Sequence, residues 1–151
     1  MNEINFICKK FEKLTVEELY EILHARKEVF ALEQEIRYQD LDFIDQDSLH
    51  LFIHDNKGKK VKTYLRIIKP GVKYPETSIG RVLTLPEFRG KGLGRLIMEN
   101  GIIEAKRNFG SPIKIEAQQY LVKFYESLGF ESISQPFILE GINHVEMILR
   151  N

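Results

Sequence analysis

Residues 89–94, RGKGLG, combine three glycines with two cationic side chains, and they lie between an apolar run (82–85) and a helical pattern. A helix amino terminus leaves several backbone N–H groups unpaired and carries a positive partial charge, so it attracts anions. Glycines let the backbone come close to phosphate oxygens and adopt positive φ angles. The pattern therefore predicts a phosphate-binding loop, to which Arg89, Lys91 and Arg95 add positive charge.

Two common phosphate-binding motifs do not fit this loop. The dinucleotide fingerprint G-x-G-x-x-G requires a small third residue, but the pattern reaches Arg95 from Gly90 and Ile97 from Gly92. A Walker loop requires a Gly-Lys-Ser/Thr end, which this stretch lacks. Two interpretations remain: a phosphate loop of another type, or a basic helix cap in which the glycines serve only the turn.

Acidic residues accumulate between residues 33 and 48, where the helical periodicity ends and a long surface loop is expected. The pattern Asp40-x-Asp42 resembles the start of a calcium loop, but Ile44 occupies the place of the third oxygen ligand and the required glycine is missing. The EF-hand interpretation therefore fails, and no metal ion is expected.

Hydrophobic periodicity predicts a single α/β domain over residues 1–151, with a mixed sheet and the element order β-α-β-β-β-α-β-α-β-β. Thr15 and Glu18 form a capping-box pattern at the start of the first helix. The fourth strand, the helix after it and the fifth strand form a βαβ unit, which places two parallel strands in an otherwise antiparallel sheet. The predicted strands are residues 4–8, 50–54, 61–68, 78–85, 113–117, 130–139 and 145–149; the predicted helices are residues 16–32, 92–109 and 119–128; hairpin turns are predicted at 55–58 and 140–141.

Composition limits the class of partner. Lysine plus arginine equals aspartate plus glutamate, 22 of each, so no overall charge recruits nucleic acid or an anionic membrane. The longest apolar runs are too short to span a bilayer, and the first residues do not match a cleaved secretory signal. Cys8 is the only cysteine, which excludes an internal disulfide, and it is expected to be buried rather than nucleophilic. We therefore expect a cytoplasmic protein.

Two longer stretches resemble motifs of one enzyme family. VLTLPEFRGKGLGRLIM (82–98) resembles the central motif of the GNAT acyltransferases, which contains a strand, a proline, an aromatic residue and the pyrophosphate loop R/Q-x-x-G-x-G/A. AQQYLVKFYESLGF (117–130) resembles the second motif, a strand end followed by a short helix with Phe-Tyr. The separation of the two motifs and the predicted element order also match. The chain is therefore identified as a member of the GNAT family over almost its whole length.

The resemblance implies that the chain binds acetyl-coenzyme A. The pantetheine arm would pair with backbone groups of Val82, Leu83 and Thr84, beside a bulge that splays the fourth and fifth strands. Gln118 stands where many members have an asparagine that contacts the cofactor. The loop amides that would bind the pyrophosphate belong to Arg89, Gly90, Lys91, Gly92, Leu93, Gly94 and Arg95.

The reaction implied by the resemblance is direct attack of an amine on the thioester. The N–H of Val82 is the candidate donor to the developing oxyanion. Tyr125 matches the family tyrosine that protonates the departing thiolate, and the alternative for this residue is an aromatic packing role. Phe124 lies on the same helix facing the cofactor. The width of the slot around Leu83 and Phe124 decides between acetyl and longer acyl groups.

A third stretch, R-x-x-V-F-x-x-E-Q with the residues after it, resembles the amino-terminal half of the ElaA-like branch of the family. EGINHVEM (140–147) resembles the final hairpin of the same branch. The acceptor does not follow from this resemblance, and both small-molecule and protein amines remain open. The residues that carry the first likeness are Arg26, Val29, Phe30, Glu33, Gln34, Tyr38, Asp40, Asp42 and His50.

The first helix and the following loop would lie over the split between the fourth and fifth strands, where an amine must enter. Carboxylates at Glu33, Asp40 and Asp42 would make this mouth negative and attract a cationic amine. For Asp45 and Asp47 a solvated loop is the preferred interpretation. The general base stays open, and each histidine has a structural role as its alternative. The candidates are Glu33, His50, Glu116 and His144, of which the histidines are also candidate substrate-binding residues.

An acetyl-CoA-dependent N-acetyltransferase is the leading hypothesis. The competing hypothesis is a noncatalytic acyl-CoA-binding module that serves sensing. Tyr125 and the acidic mouth favour catalysis over sensing. The carboxy-terminal hairpin also offers a strand edge on which a homodimer can form.

Overall fold

A computed structural model of the chain describes residues 5–35, 39–55 and 60–151. The predictions for Ile4, for Tyr38 and for the turn residues 56–58 lie outside these ranges. The strands are β1 (Ile7–Lys10), β2 (Ser48–His54), β3 (Val61–Ile68), β4 (Thr77–Thr84), β5 (Ile113–Gln118), β6 (Glu131–Ser132), β7 (Phe137–Leu139) and β8 (Ile142–Leu149), and the helices are α1 (Val16–Arg26), α2 (Leu93–Phe109) and α3 (Val122–Glu126).

Within the described residues, eight strands form one sheet in the order β1-β2-β3-β4-β5-β8-β6, and β7 also pairs with β8. The pairing of β4 with β5 is parallel, and the other pairings are antiparallel. α2 connects the two parallel strands, as a βαβ unit requires. The predicted α/β class with a mixed sheet is confirmed.

The first helix is shorter than predicted and continues in a wider form. Its capping box is confirmed: the Thr15 hydroxyl accepts from the N–H of Glu18 at 3.0 Å, and the Glu18 carboxylate accepts from the N–H of Thr15 at 2.8 Å. After α1 the chain forms a π-helical segment, Lys27–Glu33. The N–H of Gln34 donates to the carbonyl of Val29 at 3.0 Å, which closes the wide turn. Such turns are frequent at functional sites.

β4 contains a bulge. Tyr64 of β3 lies opposite Leu83, but Arg66 lies opposite Gly80, so β4 has one residue more than β3 over this stretch. Arg81 lies in the bulge with a φ of 53°, in the left-handed region that residues other than glycine rarely adopt. A bulge bends its strand and increases the local twist.

β4 and β5 pair over a short stretch only. Thr77 lies opposite Ile113 and Ser78 opposite Lys114, and across the described residues the rest of β4 has no partner in β5. The bend at the bulge therefore separates the two strands and leaves a slot between them. The predicted splay of the fourth and fifth strands is confirmed.

The strand predicted over residues 130–139 is interrupted. Ser132 lies opposite Met147 and Phe137 opposite His144, so residues 133–136 face only two residues of β8. Pro136 lies in this interruption, and proline cannot donate the N–H that a continuous ladder needs. The prediction of one long strand was wrong, and β6 and β7 are separate short strands.

Helices cover both faces of the sheet. Met98 of α2 belongs to the same apolar cluster as Leu65 of β3, and this cluster also includes residues of α3. Ile22 of α1 belongs to a second cluster with Phe52 and Tyr64. Because neighbouring residues of a strand point to opposite faces, Leu65 and Tyr64 place the two clusters on opposite sides of the sheet. The slot between β4 and β5 thus lies between two packed layers.

Candidate active site

A cleft of about 810 Å³ opens where β4 and β5 separate. Its walls come from β4, β5, α3, the glycine loop (89–94), residues of the stretches 29–34 and 39–44, and the turn between β7 and β8. A cavity of this volume lies in the usual range for small-molecule and cofactor sites. Lys73, in the turn before β4, also lines the cleft.

The β4 wall of the cleft presents backbone polar groups. Val82, Leu83 and Thr84 line the cleft, and on the other side of the strand Leu83 pairs with Tyr64 and Thr84 with Thr63. Because β5 has moved away, no strand of the described chain pairs with the cleft edge of these residues, although the carbonyl of Leu83 accepts from the Thr63 hydroxyl and that of Thr84 from Arg89. An extended ligand can pair with such an edge as an additional strand does.

The glycine loop leads into the amino terminus of α2, a helix of 17 residues. Gly90 and Gly92 have φ angles of 82° and 77°, which a Cβ atom would strain. Gly92 is the N-cap, and no side chain caps the helix, so the first amides are open to a ligand. Of the predicted loop residues, the cleft wall contains Arg89, Gly90, Gly92, Leu93 and Gly94, whereas Lys91 and Arg95 lie outside it.

The arginine side chains of the loop bind protein groups. Arg89 donates through Nη1 and Nη2 to the two carboxylate oxygens of Glu33, at 2.7 Å each, and through Nε to the carbonyl of Thr84 at 2.9 Å. Arg95 donates to the hydroxyl of Ser127 at 2.9 Å. The loop therefore offers backbone amides at the helix terminus, while both guanidinium groups are already engaged.

Glu33 links the π-helical segment to the glycine loop and does not line the cleft. The hydrogen bonds from Arg89 hold the pKa of Glu33 below its ordinary value. A carboxylate that is stabilised in its ionised form is a weak proton acceptor. Its predicted roles as general base and as substrate-binding residue are therefore not supported by its position, and it joins the two sides of the cleft instead.

Tyr125 belongs both to the apolar core and to the cleft wall. Its ring makes edge contacts with Phe124 and Phe130, with centroid distances of 5.2 and 6.0 Å. Burial, with a smaller effect of Tyr120, raises the pKa of Tyr125 to about 12, so the hydroxyl is protonated at neutral pH. It is thus available as a donor inside the cleft. Gln118 also lines the cleft.

The acidic segment is neutralised by arginines that lie far from it in sequence. We call these six residues the Arg–Asp cluster: Arg26, Arg66, Arg81, Asp40, Asp42 and Asp45. Arg26 contacts Asp40 at 3.0 Å and Asp45 at 2.7 Å. Arg66 contacts Asp42 at 2.6 Å and Asp45 at 3.0 Å. Three positive and three negative side chains therefore balance at the side of the cleft.

The sequence predicted a negatively charged entrance to the cleft, and the Arg–Asp cluster shows that this prediction was wrong. Asp45 is 6% exposed, so the interpretation of a solvated side chain was wrong for this residue, whereas Asp47 is half exposed and pairs with Lys69. Although burial opposes it, hydrogen bonds from Arg66 and the charge of that residue hold the pKa of Asp42 well below its usual range. Asp42 lines the cleft and Asp40 does not. Both carboxylates bind arginines of the protein, so neither offers a free charge to an amine.

The slot, the glycine loop and Tyr125 were described from the structure alone, and a comparison of the sequence with known protein families agrees with them. The acetyltransferase (GNAT) domain family matches residues 12–151. The chain belongs to the GNAT family. Members of this family are acyltransferases that use acyl-CoA substrates. The split sheet and the loop at the start of α2 form the candidate active-site cleft of this GNAT protein.

Individual relatives define the branch of the GNAT family. A UPF0039 protein of Synechocystis sp. is 39% identical, over 98% of this chain and 96% of its own length. ElaA of Escherichia coli is 31% identical over 89% of each chain, and its crystal structure matches with a TM-score of 0.89, 29% identity and coverage of 97% and 99%. The crystal structure of an acyl-CoA N-acyltransferase from Pseudomonas aeruginosa matches with a TM-score of 0.91 and 32% identity, over 97% of this chain and 99% of that one. The chain thus belongs to the ElaA-like branch.

Two of the four base candidates line the GNAT cleft. Glu116 of β5 and His144 of β8 are both in its wall, and Gln118 lies opposite His144 in the sheet. The ammonium of Lys73, which also lines the cleft, lies 3.4 Å from the carboxylate of Glu116. His144 is 8% exposed and bonds through Nδ1 to the carbonyl of Ile142 at 2.8 Å. Both residues remain candidates for contact with the acceptor.

His50 is a structural residue in the GNAT fold. It is fully buried, with Nδ1 2.8 Å from the hydroxyl of Tyr64 and Nε2 2.9 Å from the carbonyl of Asp45. Burial lowers the pKa of its imidazole, so the ring is neutral at neutral pH. His50 does not line the cleft. The structure therefore does not support its predicted roles in substrate binding and proton removal. His50 instead supports the Arg–Asp cluster.

Sequence reasoning missed Arg66, Arg81 and Lys73 as residues of the site. One signal for the first two was present: Asp40, Asp42 and Asp45 alternate with the apolar residues 41, 43 and 44 instead of following one another as in a solvated loop. Carboxylates in an apolar stretch require buried cations as partners. No comparable signal marked Lys73, which lies in the turn before β4.

Three further expectations concern thiol, metal and membrane. Cys8 is half-buried, so the expectation of a buried residue is met only in part. This burial, followed by the negative charge of Glu104, raises the pKa of the thiol to about 11, so the thiol stays protonated. Among the residues that the structure describes, no three His, Cys, Asp or Glu side chains are grouped so as to hold a metal ion. In the same ranges no helix has the length and apolar character needed to cross a membrane.

Proposed function

We propose that this GNAT protein is an N-acetyltransferase that moves the acetyl group of acetyl-CoA to a primary amine. The observation that carries the proposal is the slot between β4 and β5, which has the uncapped amino terminus of α2 at one side and Tyr125 in its wall. The positive-φ glycines of the loop leave room and amide donors for a diphosphate, and the β4 edge offers backbone groups for an extended arm. The residues present fit acetyl-CoA.

The proposed roles follow from the place of each group. The amides of the glycine loop hold the pyrophosphate, and the cleft edge of Val82, Leu83 and Thr84 aligns the pantetheine arm. The thioester supplies an activated acetyl group that an amine can attack. The N–H of Val82 donates to the acyl oxygen as negative charge develops there. Tyr125 donates its hydroxyl proton to the sulfur as the carbon–sulfur bond breaks.

We propose Glu116 as the group that removes the amine proton, with His144 as the second candidate. Both line the cleft, in contrast to Glu33 and His50. Glu116 lies on β5 beyond the last residue that pairs with β4, which places it beside the open slot. The ammonium of Lys73 lies 3.4 Å from this carboxylate, at the same wall of the cleft.

The proposal names acetyl rather than a longer acyl group because the matching family is an acetyltransferase family. Leu83 and Phe124 both line the slot and are the residues that would limit its width. Replacing acetyl-CoA with longer acyl-CoA substrates tests this part of the proposal. A turnover number that rises with chain length would assign a longer acyl donor.

A noncatalytic acyl-CoA-binding module is the alternative. The observation that favours it is the neutralisation of the acidic segment, because the free carboxylates expected to recruit an amine are paired with arginines. The split sheet and the glycine loop would serve sensing as well as they serve catalysis.

The deciding experiment measures thiol release from acetyl-CoA with a panel of amines that includes polyamines, amino acids, amino sugars and peptides. Isothermal titration with acetyl-CoA is run alongside. We expect binding of acetyl-CoA and thiol release that depends on at least one amine. Binding without turnover on any amine would establish the sensing module, and absence of binding would contradict both proposals.

A further inference from the structure

The Arg–Asp cluster joins the acidic segment to α1, β3 and β4 beside the cleft. Arg26 ends α1, Arg66 lies on β3 and Arg81 lies in the bulge of β4, while the three aspartates lie in the segment that follows the π-helical turn. Arg26 and Arg66 are 0% and 1% exposed. These two arginines anchor the acidic segment to the core. Arg81 connects that segment to the slot.

The side chain of Arg81 is held by the acidic segment. Its Nε lies 2.9 Å from a carboxylate oxygen of Asp40. Its Nη2 donates to the carbonyl of Asp40 at 3.2 Å and to the carboxylate of Asp42 at 3.3 Å. The side chain is 14% exposed, and the residue lines the cleft. Arg81 thus contacts both aspartates from the position next to Val82.

The backbone of Arg81 is unusual for an arginine. Its φ of 53° lies in the left-handed region, which glycine adopts without strain. Gly80 precedes it, yet Gly80 has no positive φ and the strained position carries the arginine. A bulge that required only its backbone shape would be served best by glycine at that position. The side chain must therefore contribute something that compensates for the strain.

We infer that Arg81 is a positioning residue for acyl transfer: its ion pairs with Asp40 and Asp42 hold the β4 bulge so that the N–H of Val82 faces the acyl oxygen. The inference rests on the proposed N-acetyltransferase function, in which Val82 is the oxyanion donor. It also gives the acidic segment a role, because the segment fixes the bulge instead of attracting the amine. A positional error of about 1 Å at a reacting group lowers a rate by about 10²-fold.

The test compares Arg81→Gly, Arg81→Lys and Asp40→Asn with the control Asp47→Asn, which removes an exposed carboxylate of the same segment. Arg81→Gly removes the ion pairs, but glycine can keep the positive φ of the bulge. The variant therefore measures the contribution of the side chain apart from that of the backbone conformation. For each variant the turnover number, the KM for acetyl-CoA and the melting temperature are measured. The backbone amide signal of Val82 is followed by NMR during titration with acetyl-CoA.

We expect Arg81→Gly to lower the turnover number by about 10²-fold while the KM for acetyl-CoA stays near that of the wild type, since the glycine loop is intact. Arg81→Lys recovers part of the loss because it keeps the charge, and Asp47→Asn has no effect. The Val82 signal shifts on addition of acetyl-CoA in the wild type and shifts much less in Arg81→Gly.

A turnover number of Arg81→Gly equal to that of the wild type would overturn the inference, as would an equal loss in Asp47→Asn. If the wild type acetylates no amine, the proposed function fails. The NMR titration then decides by itself whether Arg81 positions the N–H of Val82 toward acetyl-CoA. In that case an identical shift of the Val82 signal in the wild type and in Arg81→Gly overturns it, and a shift that only the wild type shows supports it.

Discussion

Removal of the hydroxyl group of Tyr125 tests its proposed role as proton donor. Phenylalanine keeps the ring contacts with Phe124 and Phe130 and removes only the hydroxyl. We expect Tyr125→Phe to lower the turnover number by about ten- to hundred-fold or more, without a change in KM for acetyl-CoA. Because burial raises the pKa of Tyr125 to about 12, the tyrosine is protonated at neutral and mildly alkaline pH. The loss is therefore the same across this pH range in a thiol-release assay.

The melting temperature of Tyr125→Phe provides the control, since the core is preserved. A variant that folds normally and turns over at the wild-type rate would assign Tyr125 to packing alone.

Glu116 and His144 form a matched pair for the assignment of the base, because both line the cleft on neighbouring strands. We expect Glu116→Gln to lower kcat/KM for the amine by about 10²-fold, and His144→Gln to have a much smaller effect. The KM for acetyl-CoA is expected to stay constant in both. The measurement is the pH profile of kcat/KM for the best amine of the panel.

A different pH profile of kcat/KM would assign the role of general base to His144. An acid limb of the profile that is present in the wild type and disappears in His144→Gln would make His144 the base and contradict the assignment to Glu116.

The amino terminus of α2 is tested at the scale of the element by two glycines of the same helix. Gly92 is the N-cap and Gly110 the C-cap, and both have a φ of 77° with open space where a Cβ would lie. We expect Gly92→Ala to weaken acetyl-CoA binding about tenfold or more, because the loop must leave its left-handed conformation and the amides turn away from the pyrophosphate. Gly110→Ala places its backbone strain at the end remote from the loop, and that strain is the larger of the two, because a φ of 77° with a ψ of −163° is adopted essentially by glycine alone. Isothermal titration compares the two.

Equal affinity for acetyl-CoA in Gly92→Ala and Gly110→Ala would show that the loop conformation does not matter for the cofactor. Gly92→Ala is expected to lose about 1 kcal/mol of unfolding free energy and Gly110→Ala up to about 3 kcal/mol, because the conformation of Gly110 is the more strained for alanine. Urea denaturation checks both values.

Local signals predicted the elements well, and long-range pairing explains what they missed. The capping box at Thr15 and the glycines around α2 depend on residues next to them in the chain, so their spacing in the sequence is enough. Pro136 could have indicated the break between β6 and β7, because a proline lacks the N–H of a continuous strand. The π-helical turn at Lys27–Glu33 had no such signal, since it differs from an α-helix by one residue per turn.

For the site, too, the continuous motifs could be read from the sequence and the long-range ion pairs could not. The glycine loop, the β4 edge and Tyr125 belong to continuous motifs and lie in the cleft as expected. The pairing of Arg89 with Glu33 joins residues that are 56 positions apart, and that of Arg66 with Asp42 joins residues 24 apart. Which arginine neutralises which carboxylate depends on the register of the sheet, and no local pattern contains that information. The prediction of an acidic mouth failed for this reason.

The molecule contains a buried ion-pair cluster, and this has a consequence for stability. His50 supports the Arg–Asp cluster through the carbonyl of Asp45, and burial lowers the pKa of its imidazole. The unfolded chain therefore takes up a proton at a higher pH than the folded protein does. Stability from this group is present above the unfolded pKa of about 6.5 and is lost as pH falls through it, with a slope of up to about 1.4 kcal/mol per pH unit.

We expect His50→Gln, which keeps polar atoms but cannot titrate, to lack this loss of stability between about pH 6.5 and pH 5. His24→Gln is the control, because His24 lies at the surface of α1 with half of its side chain exposed. Urea denaturation at a series of pH values measures the unfolding free energy. A wild-type slope that persists in His50→Gln would assign the acid sensitivity to another group. At lower pH the carboxylates of Asp42 and Asp45, whose pKa values are held down, account for the remaining loss.

The most direct test of the central claim follows the acetyl group from donor to acceptor. The protein is incubated with acetyl-CoA that carries an isotopic label on the acetyl carbonyl, together with the amine panel, and the products are analysed by mass spectrometry. We predict a labelled amide and free coenzyme A thiol in equal amounts, and we predict that Tyr125→Phe forms both more slowly by the same factor. Labelled acetate with no amide, or label that stays on coenzyme A in the presence of every amine, would contradict the assignment of this cleft to N-acetyl transfer.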